Sequence, residues 1–234
     1  MSKDRIKNGL ISLGFILGVM ALPVKAIESG VGIGVIGNMS TFDTTGYEQE
    51  VSGDLSKTTA SISEDVDFGS FFGEWYARGD HFGLGLGIEI IPGDHEIGAK
   101  SRTDANDAKD TSDDGTYTAK AEVSKLSTLY IEPTIYFNDM FGAYVKGGYS
   151  YIEVNSLESI DLGSDSSAYG KEDVFGTVWG AGVRVNTAMG LFLKLEYTET
   201  DYEEFTMKSL SGNKNTITAE PEQKATRLAI GWRF

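Results

Sequence analysis

Large apolar residues alternate with small or polar ones in eight separate stretches of this chain. The last stretch is the clearest. Across Thr226–Phe234 the even positions Leu228, Ile230, Trp232 and Phe234 are large and apolar, while Arg227, Ala229, Gly231 and Arg233 are small or charged. Successive side chains of a strand point to opposite faces, so the pattern predicts a strand with one apolar face. The same split occurs in Leu191–Thr198, where Leu191, Leu193, Leu195 and Tyr197 oppose Lys194, Glu196 and Thr198. In Phe175–Val185, Phe175, Trp179, Ala181, Val183 and Val185 oppose Gly180, Gly182 and Arg184. It recurs in Phe141–Tyr151, Leu129–Phe137, Phe82–Ile90, Gly69–Arg78 and Val31–Ser40.

The connections alternate in length. Gly79–His81, Asn138–Met140 and Asn186–Gly190 are tight, whereas Thr41–Asp67, Ile91–Lys125, Ile152–Asp173 and Glu199–Gln223 are long and polar. An even strand count with this long–short rhythm predicts an all-β fold: an eight-stranded antiparallel up-and-down transmembrane β-barrel with four long extracellular loops and three short periplasmic turns. A soluble lipocalin-like barrel has no reason for such regular asymmetry. Pro133 lacks a ladder donor and predicts a local bulge in its strand.

The N-terminus adds a compartment. Lys3, Arg5 and Lys7 precede an apolar run from Gly9 to Leu22, and small residues stand two apart before the expected cut, Val24 and Ala26. This is the layout of a secretory signal peptide over residues 1–26, leaving residues 27–234 as one barrel domain. The run is short of the roughly 20 apolar residues that cross a bilayer as a helix. Cleavage removes Lys3, Arg5, Lys7, Lys25 and Asp4, so the formal net charge goes from −15 to −18. Such a surface repels phosphate, which excludes nucleic acid as a partner. With 0 Cys there is no disulfide framework, zinc-thiolate site or thiol nucleophile.

Charge also indicates which face is inside. The polar faces hold the acids Glu74, Glu89, Glu132 and Glu196 and the bases Arg78, Lys146, Arg184, Lys194, Arg227 and Arg233. These are nearly balanced within a strongly acidic chain, as a closed interior requires, because an unpaired buried ion is costly. Glu74, Glu89, Glu132, Lys146, Arg184, Lys194, Glu196 and Arg227 are therefore expected to form a lumen charge network, with Tyr76, Tyr130, Tyr136 and Tyr144 beside it. On the other face, Trp75, Phe82, Phe137, Phe141, Trp232 and Phe234 lie toward the short turns. Phe71, Tyr149, Tyr151, Phe175 and Tyr197 lie toward the long loops, which makes two aromatic girdles.

The ending Leu228-x-Ile230-x-Trp232-x-Phe234 resembles the C-terminal assembly signal of Gram-negative outer-membrane proteins. With the signal peptide and the eight segments, residues 27–234 resemble the small-barrel family that includes the OmpA transmembrane domain and OmpX. The resemblance implies outer-membrane localisation and contact with outer-membrane lipid, lipopolysaccharide and the assembly machinery. No peptidoglycan-binding domain is expected beyond the barrel, so the cell-wall tether of full-length OmpA is not implied.

Little in the chain offers catalysis. His81 lies in a turn, and His95, before Glu96, would need a serine and an acid to act as in barrels that trim lipid A. Asp110-x-Ser112-x-Asp114-Gly115 begins like a calcium loop, but Ala121 stands where its bidentate acid belongs, with Glu122 one step late. Arg78-Gly79-Asp80 spells an adhesion tripeptide within a periplasmic turn. The expected role is a closed structural or surface-interaction barrel displaying acidic loops, without catalytic, cofactor or metal residues. The alternatives are a narrow porin-like conduit and a lipid-A-modifying enzyme. The sequence names no extracellular ligand.

Overall fold

The computed structural model describes residues 28–49, 57–104, 115–160, 169–210 and 216–234. The expected signal peptide and most of the calcium-like stretch lie outside these residues. The strands are β1 (Glu28–Gln49), β2 (Lys57–Arg78), β3 (Phe82–Ile90), β4 (His95–Asp104), β5 (Gly115–Tyr136), β6 (Phe141–Ile160), β7 (Gly170–Asn186), β8 (Leu191–Tyr202), β9 (Phe205–Lys208) and β10 (Thr216–Arg233). Each pairs antiparallel with its neighbours in the order β1-β2-β3-β5-β6-β7-β8-β10, and β10 closes onto β1. β4 continues the stave begun by β3, and β9 continues the stave begun by β8, so the barrel has eight staves.

The registers set the tilt. Partners run from Ile33 through Gly73, Ile88, Leu129, Tyr149, Thr177, Asp201 and Glu222 back to β1 at Asp43. One circuit thus climbs from residue 33 to residue 43, a shear that tilts eight strands by about 40° and leaves a lumen that side chains can fill.

The staves are much longer than a membrane needs. β1, β2 and β5 have 22 residues each, whereas about 9–11 cross a bilayer. Much of each connection read from the sequence as a long loop is therefore strand. The reason is visible on the outer wall, where polar residues pair across strands. Thr41 donates to Asp65 at 2.7 Å, Ser63 to Asp43 at 2.6 Å, and the hydroxyls of Thr45 and Ser61 lie 3.2 Å apart. Such pairs stabilise a sheet in water without any apolar alternation to reveal it.

The apolar face changes sides along a stave. Near the turns, Val31, Ile33, Val35 and Met39 of β1 and Phe141, Val145 and Tyr149 of β6 face outward and are exposed. Farther up, Phe42 of β1 and Ile152 and Val154 of β6 point inward, and both Phe42 and Ile152 are completely buried. They join Phe68, Ile91, Val123, Leu126, Tyr202 and Met207 in an apolar core inside the loop end of the barrel. The outer surface meets lipid below and water above, and the interior inverts to match.

Pro133 does not bulge its strand: it pairs with Leu84, and the β5–β6 register is the same on both sides of it. The bulge lies higher, between Ser124 and Ser127, where Lys125 has φ 52°. It brings the Lys125 ammonium 2.6 Å from Glu153, which also accepts from Lys171 at 2.9 Å and Ser124 at 3.2 Å. The hydrogen bonds from Lys125 and Lys171 hold the Glu153 carboxyl down at about 2.

Two outcomes follow. Glu153 has a depressed value, so its contribution is complete above the ordinary value near 4.5 and is lost as pH falls toward 2. Amide exchange around Lys125 should accelerate across that interval, and Glu153→Gln should abolish the dependence. Separately, Leu195 is an exposed position of the apolar band. Arginine there should destabilise the barrel by about 2–4 kcal/mol if it lies at the bilayer midplane, measured by unfolding in lipid vesicles.

Candidate functional site

The inward positions of the turn half converge on a cluster of charge. Four acids, Glu74, Glu89, Glu132 and Glu196, meet four bases, Lys146, Arg184, Lys194 and Arg227, and all eight are buried. They form one connected chain of alternating sign. Glu89 bonds Arg227, whose other terminal nitrogen lies 2.8 Å from Glu196. Lys146 is 2.7 Å from Glu196 and 4.0 Å from Glu132. Lys194 and Arg184 then join Glu132, at 2.8 and 3.4 Å, to Glu74, at 2.5 and 3.5 Å. Opposite charges cancel within the cluster, which is what a low-dielectric interior demands.

Neutral partners occupy the remaining lone pairs. Tyr144 donates to Glu196 at 2.8 Å, Tyr130 to Glu74 at 3.3 Å and Ser70 to Glu89 at 2.6 Å. The Arg227 Nε donates to Asn38 at 2.6 Å, and Asn38 donates to Ser70 at 3.1 Å. The ammonium of Lys146 sits 4.4 Å over the Tyr130 ring, and the Arg184 guanidinium 5.2 Å over Phe192. Glycine makes room for the tyrosines. Tyr130 pairs with Gly87 and Tyr144 with Gly182, and each ring lies across its partner. A Cβ at Gly182 would come within 2.6 Å of the Tyr144 ring, and one at Gly87 would collide with Tyr130.

Beside the network, Phe72 and Phe192 pack edge to face at 5.9 Å with Ile36 and Ala229, and the Lys194 ammonium lies 5.5 and 5.7 Å from the two rings. Above the network, a void of about 20 Å³ remains among Asn38, Glu89, Thr128, Gln223 and Arg227. That is room for about one water molecule. Higher still lies the apolar core.

Two bases expected on the same face stand apart from the network. Arg78 lies at the turn end, 3.6 Å from Asp139 and 4.0 Å over the Tyr136 ring. Arg233 is beside Tyr76, and its buried Nε and Nη1 have no hydrogen-bond partner among the described residues. Ser70, Phe72 and Phe192 belong to the lumen although the sequence reading did not place them there. Their signal was parity, since Ser70 and Phe72 share the face of Glu74, and Phe192 that of Lys194. Leu228, Ile230, Trp232 and Phe234 are all exposed along the outer face at the end of β10. His95 packs against Phe68, with ring centroids 5.1 Å apart, and its Nε2 lies 3.2 Å from the Pro92 carbonyl oxygen.

The family model described as the outer membrane protein beta-barrel domain matches residues 11–234. The chain belongs to this family. It is an outer-membrane β-barrel protein, and its place is the cell outer membrane. No curated protein sequence matches it. Among solved structures it is similar to Ail of Yersinia pestis, at 10% identity over 87% of this chain and 99% of that one, with a TM-score of 0.37. It is similar to Neisserial surface protein A, at 11% identity over 90% and 100% of the two chains, with a TM-score of 0.39. It is also similar to the outer membrane protease OmpT of Escherichia coli, at 10% identity over 88% and 97%, with a TM-score of 0.43. At these values none of their activities carries over to the barrel described here.

The network identifies its own double mutants. Glu196 contacts Lys146 and Arg227, and no hydrogen bond or ion pair joins it to Lys194, so the partners to neutralise are Lys146 and Arg227. Glu196→Gln leaves Lys146 short of a counter-charge and should cost about 3–5 kcal/mol. Adding Lys146→Met should recover part of that loss. A double-mutant cycle in lipid vesicles measures the coupling, and additive losses would mean that the pair is not held together in the membrane.

Proposed function

We propose that this protein is a closed outer-membrane barrel serving a structural or surface-interaction role, with its loop end and acidic outer wall facing the cell exterior. The observation that carries this reading is the uninterrupted run of paired charges from Glu89 to Glu74, with the aromatic pair Phe72–Phe192 packed beside it and the apolar core above. A conducting pore needs polar groups left free along a water path. Here every one of the eight network charges has an opposite partner within 4.0 Å.

A lipid-modifying role finds less support. The Ser70 hydroxyl, which shares a groove with His95, donates to Glu89, and the His95 Nε2 faces a carbonyl oxygen instead of a serine. Lipopolysaccharide around the barrel and the assembly machinery acting on the β10 ending are part of the same proposal.

The direct test is electrical. Purified protein in planar bilayers should show no unitary conductance steps. Stable, reproducible steps from the folded wild-type protein would overturn the closed reading in favour of a solute conduit.

A further inference from the structure

The barrel wall has a break that the closed-barrel reading does not use. On its second edge, β2 pairs with β3 only from Arg78 up to Phe71, which faces Ile90. Beyond that the third stave leaves the ladder at Ile91–Asp94, where Pro92 lacks an N–H and Gly93 takes φ +92°. It resumes as β4, which pairs with β5 alone. Between β2 and β4 the wall is thus a seam closed by side chains. The Phe68 and His95 rings meet across it, and a Cβ at Gly98 would lie 3.2 Å from Ile62.

At the foot of the seam is a groove of about 540 Å³, lined by Val35, Gly37, Gly69, Phe71, Pro92 and His95 among others. That volume lies within the usual range for small-ligand sites, about 300–1,000 Å³. Gly37 and Gly69 are direct cross-strand partners. A Cβ would meet nothing within 4 Å at Gly37, and only the Ile36 carbonyl oxygen, at 3.9 Å, at Gly69. Two adjacent positions without side chains therefore dent a surface otherwise covered by exposed apolar groups such as Val35 and Phe71. Because Phe71 belongs to the loop-end girdle, the dent opens where acyl chains meet headgroups.

Backbone and charge specify the occupant further. The Ile91 N–H donates to Leu126 on β5, so the polar groups of Ile90 face the other way, toward Phe71. Strand alternation then turns the N–H and C=O of Gly69 and Asp67 to the same edge, where no strand of the described residues pairs with them. Unpaired backbone beside lipid is costly, and the ester and phosphate oxygens of a lipid accept from such N–H groups. Asp67 stands two residues beyond the lining residue Gly69 on β2, and Asp94 stands between the lining residues Pro92 and His95; both are exposed, with no cation paired to them among the described residues. They repel an anionic headgroup and attract an ammonium.

We propose that the groove binds one zwitterionic phospholipid of the phosphatidylethanolamine type. Its acyl chain lies over Gly37 and Gly69, and its ammonium reaches Asp67 and Asp94. This site does not depend on whether the lumen conducts.

The test is retention of lipid by the folded, detergent-extracted protein, read by native mass spectrometry. The protein is first reconstituted with phosphatidylethanolamine, phosphatidylglycerol or lipopolysaccharide. Wild type should keep one phosphatidylethanolamine. Gly37→Leu and Gly69→Leu should lose it, whereas Gly147→Leu should retain it, since that outward glycine on the far wall also has nothing within 4 Å. Asp67→Asn with Asp94→Asn should erase the preference over phosphatidylglycerol. No retained lipid in wild type, equal retention in the filled variants, or preference for lipopolysaccharide would each overturn the proposal. Should the leucine variants fail to fold, the absence of native cysteine allows a second reading. A photocross-linker on Phe71→Cys should capture phosphatidylethanolamine in higher yield than one on Val145→Cys, and equal yields would refute the site.

Discussion

An ion that cannot reach water must be paired, and the arrangement of this barrel's interior follows from that constraint. Glu132 is completely enclosed, yet Lys194, Arg184 and Lys146 converge on it from three other strands. Each of those bases also holds a second acid, so no pair can be altered alone. Removing one member exposes its neighbour to the full desolvation penalty, several kcal/mol for a buried ion. The ring of strands and the ionic cluster are therefore mutually dependent. The register brings charges from β2, β3, β5, β6, β7, β8 and β10 to one place, and their pairing resists any slip of that register.

The second constraint is the change of solvent along each stave. In the turn half the outer face meets hydrocarbon, so apolar residues point outward and polar ones inward. In the loop half the outer face meets water, and Phe42, Val123 and Ile152 turn inward as in a soluble barrel. Strand periodicity is unchanged, so the apolar residues must change parity. On β1 and β6 they do; on β5 the Lys125 bulge turns the faces over instead, so Val123 points inward at the same odd parity at which Leu129 and Ile135 point outward. The bulge is braced from outside by Glu153, which joins Lys125 to Lys171 on β7.

Closure of the wall is not uniform. Hydrogen-bonded ladders run around the whole circumference through the membrane zone, where unpaired backbone has no water to turn to. Above Phe71 and Ile90 that obligation relaxes, and the third stave departs at Pro92 and Gly93. The seam between β2 and β4 is thus tolerated for the same reason that the staves project beyond the bilayer. Its foot is the point where the relaxed region meets lipid, which gives the dent at Gly37 and Gly69 its chemical character.

Much of this was legible in the amino-acid order. Period-2 alternation located all eight staves, the tight turns came from residues such as Gly79 and Asn138, and the near balance of charge placed Glu74 and Arg227 on an inner face. These are local properties, because a strand shows its two faces within a few residues. Other features were not local. The outer halves of the staves carry Thr, Ser and Asp, whose cross-strand pairing becomes apparent only once Thr41 and Asp65 stand opposite each other. Pro133 looked like the site of a bulge and was not one, while the real bulge at Lys125 had no residue to announce it. The sequence alone determined which residues face together. Only the tertiary structure decided that Glu196 bonds Lys146 and Arg227, because shear sets which inward charges meet across the lumen, and shear belongs to the closed ring.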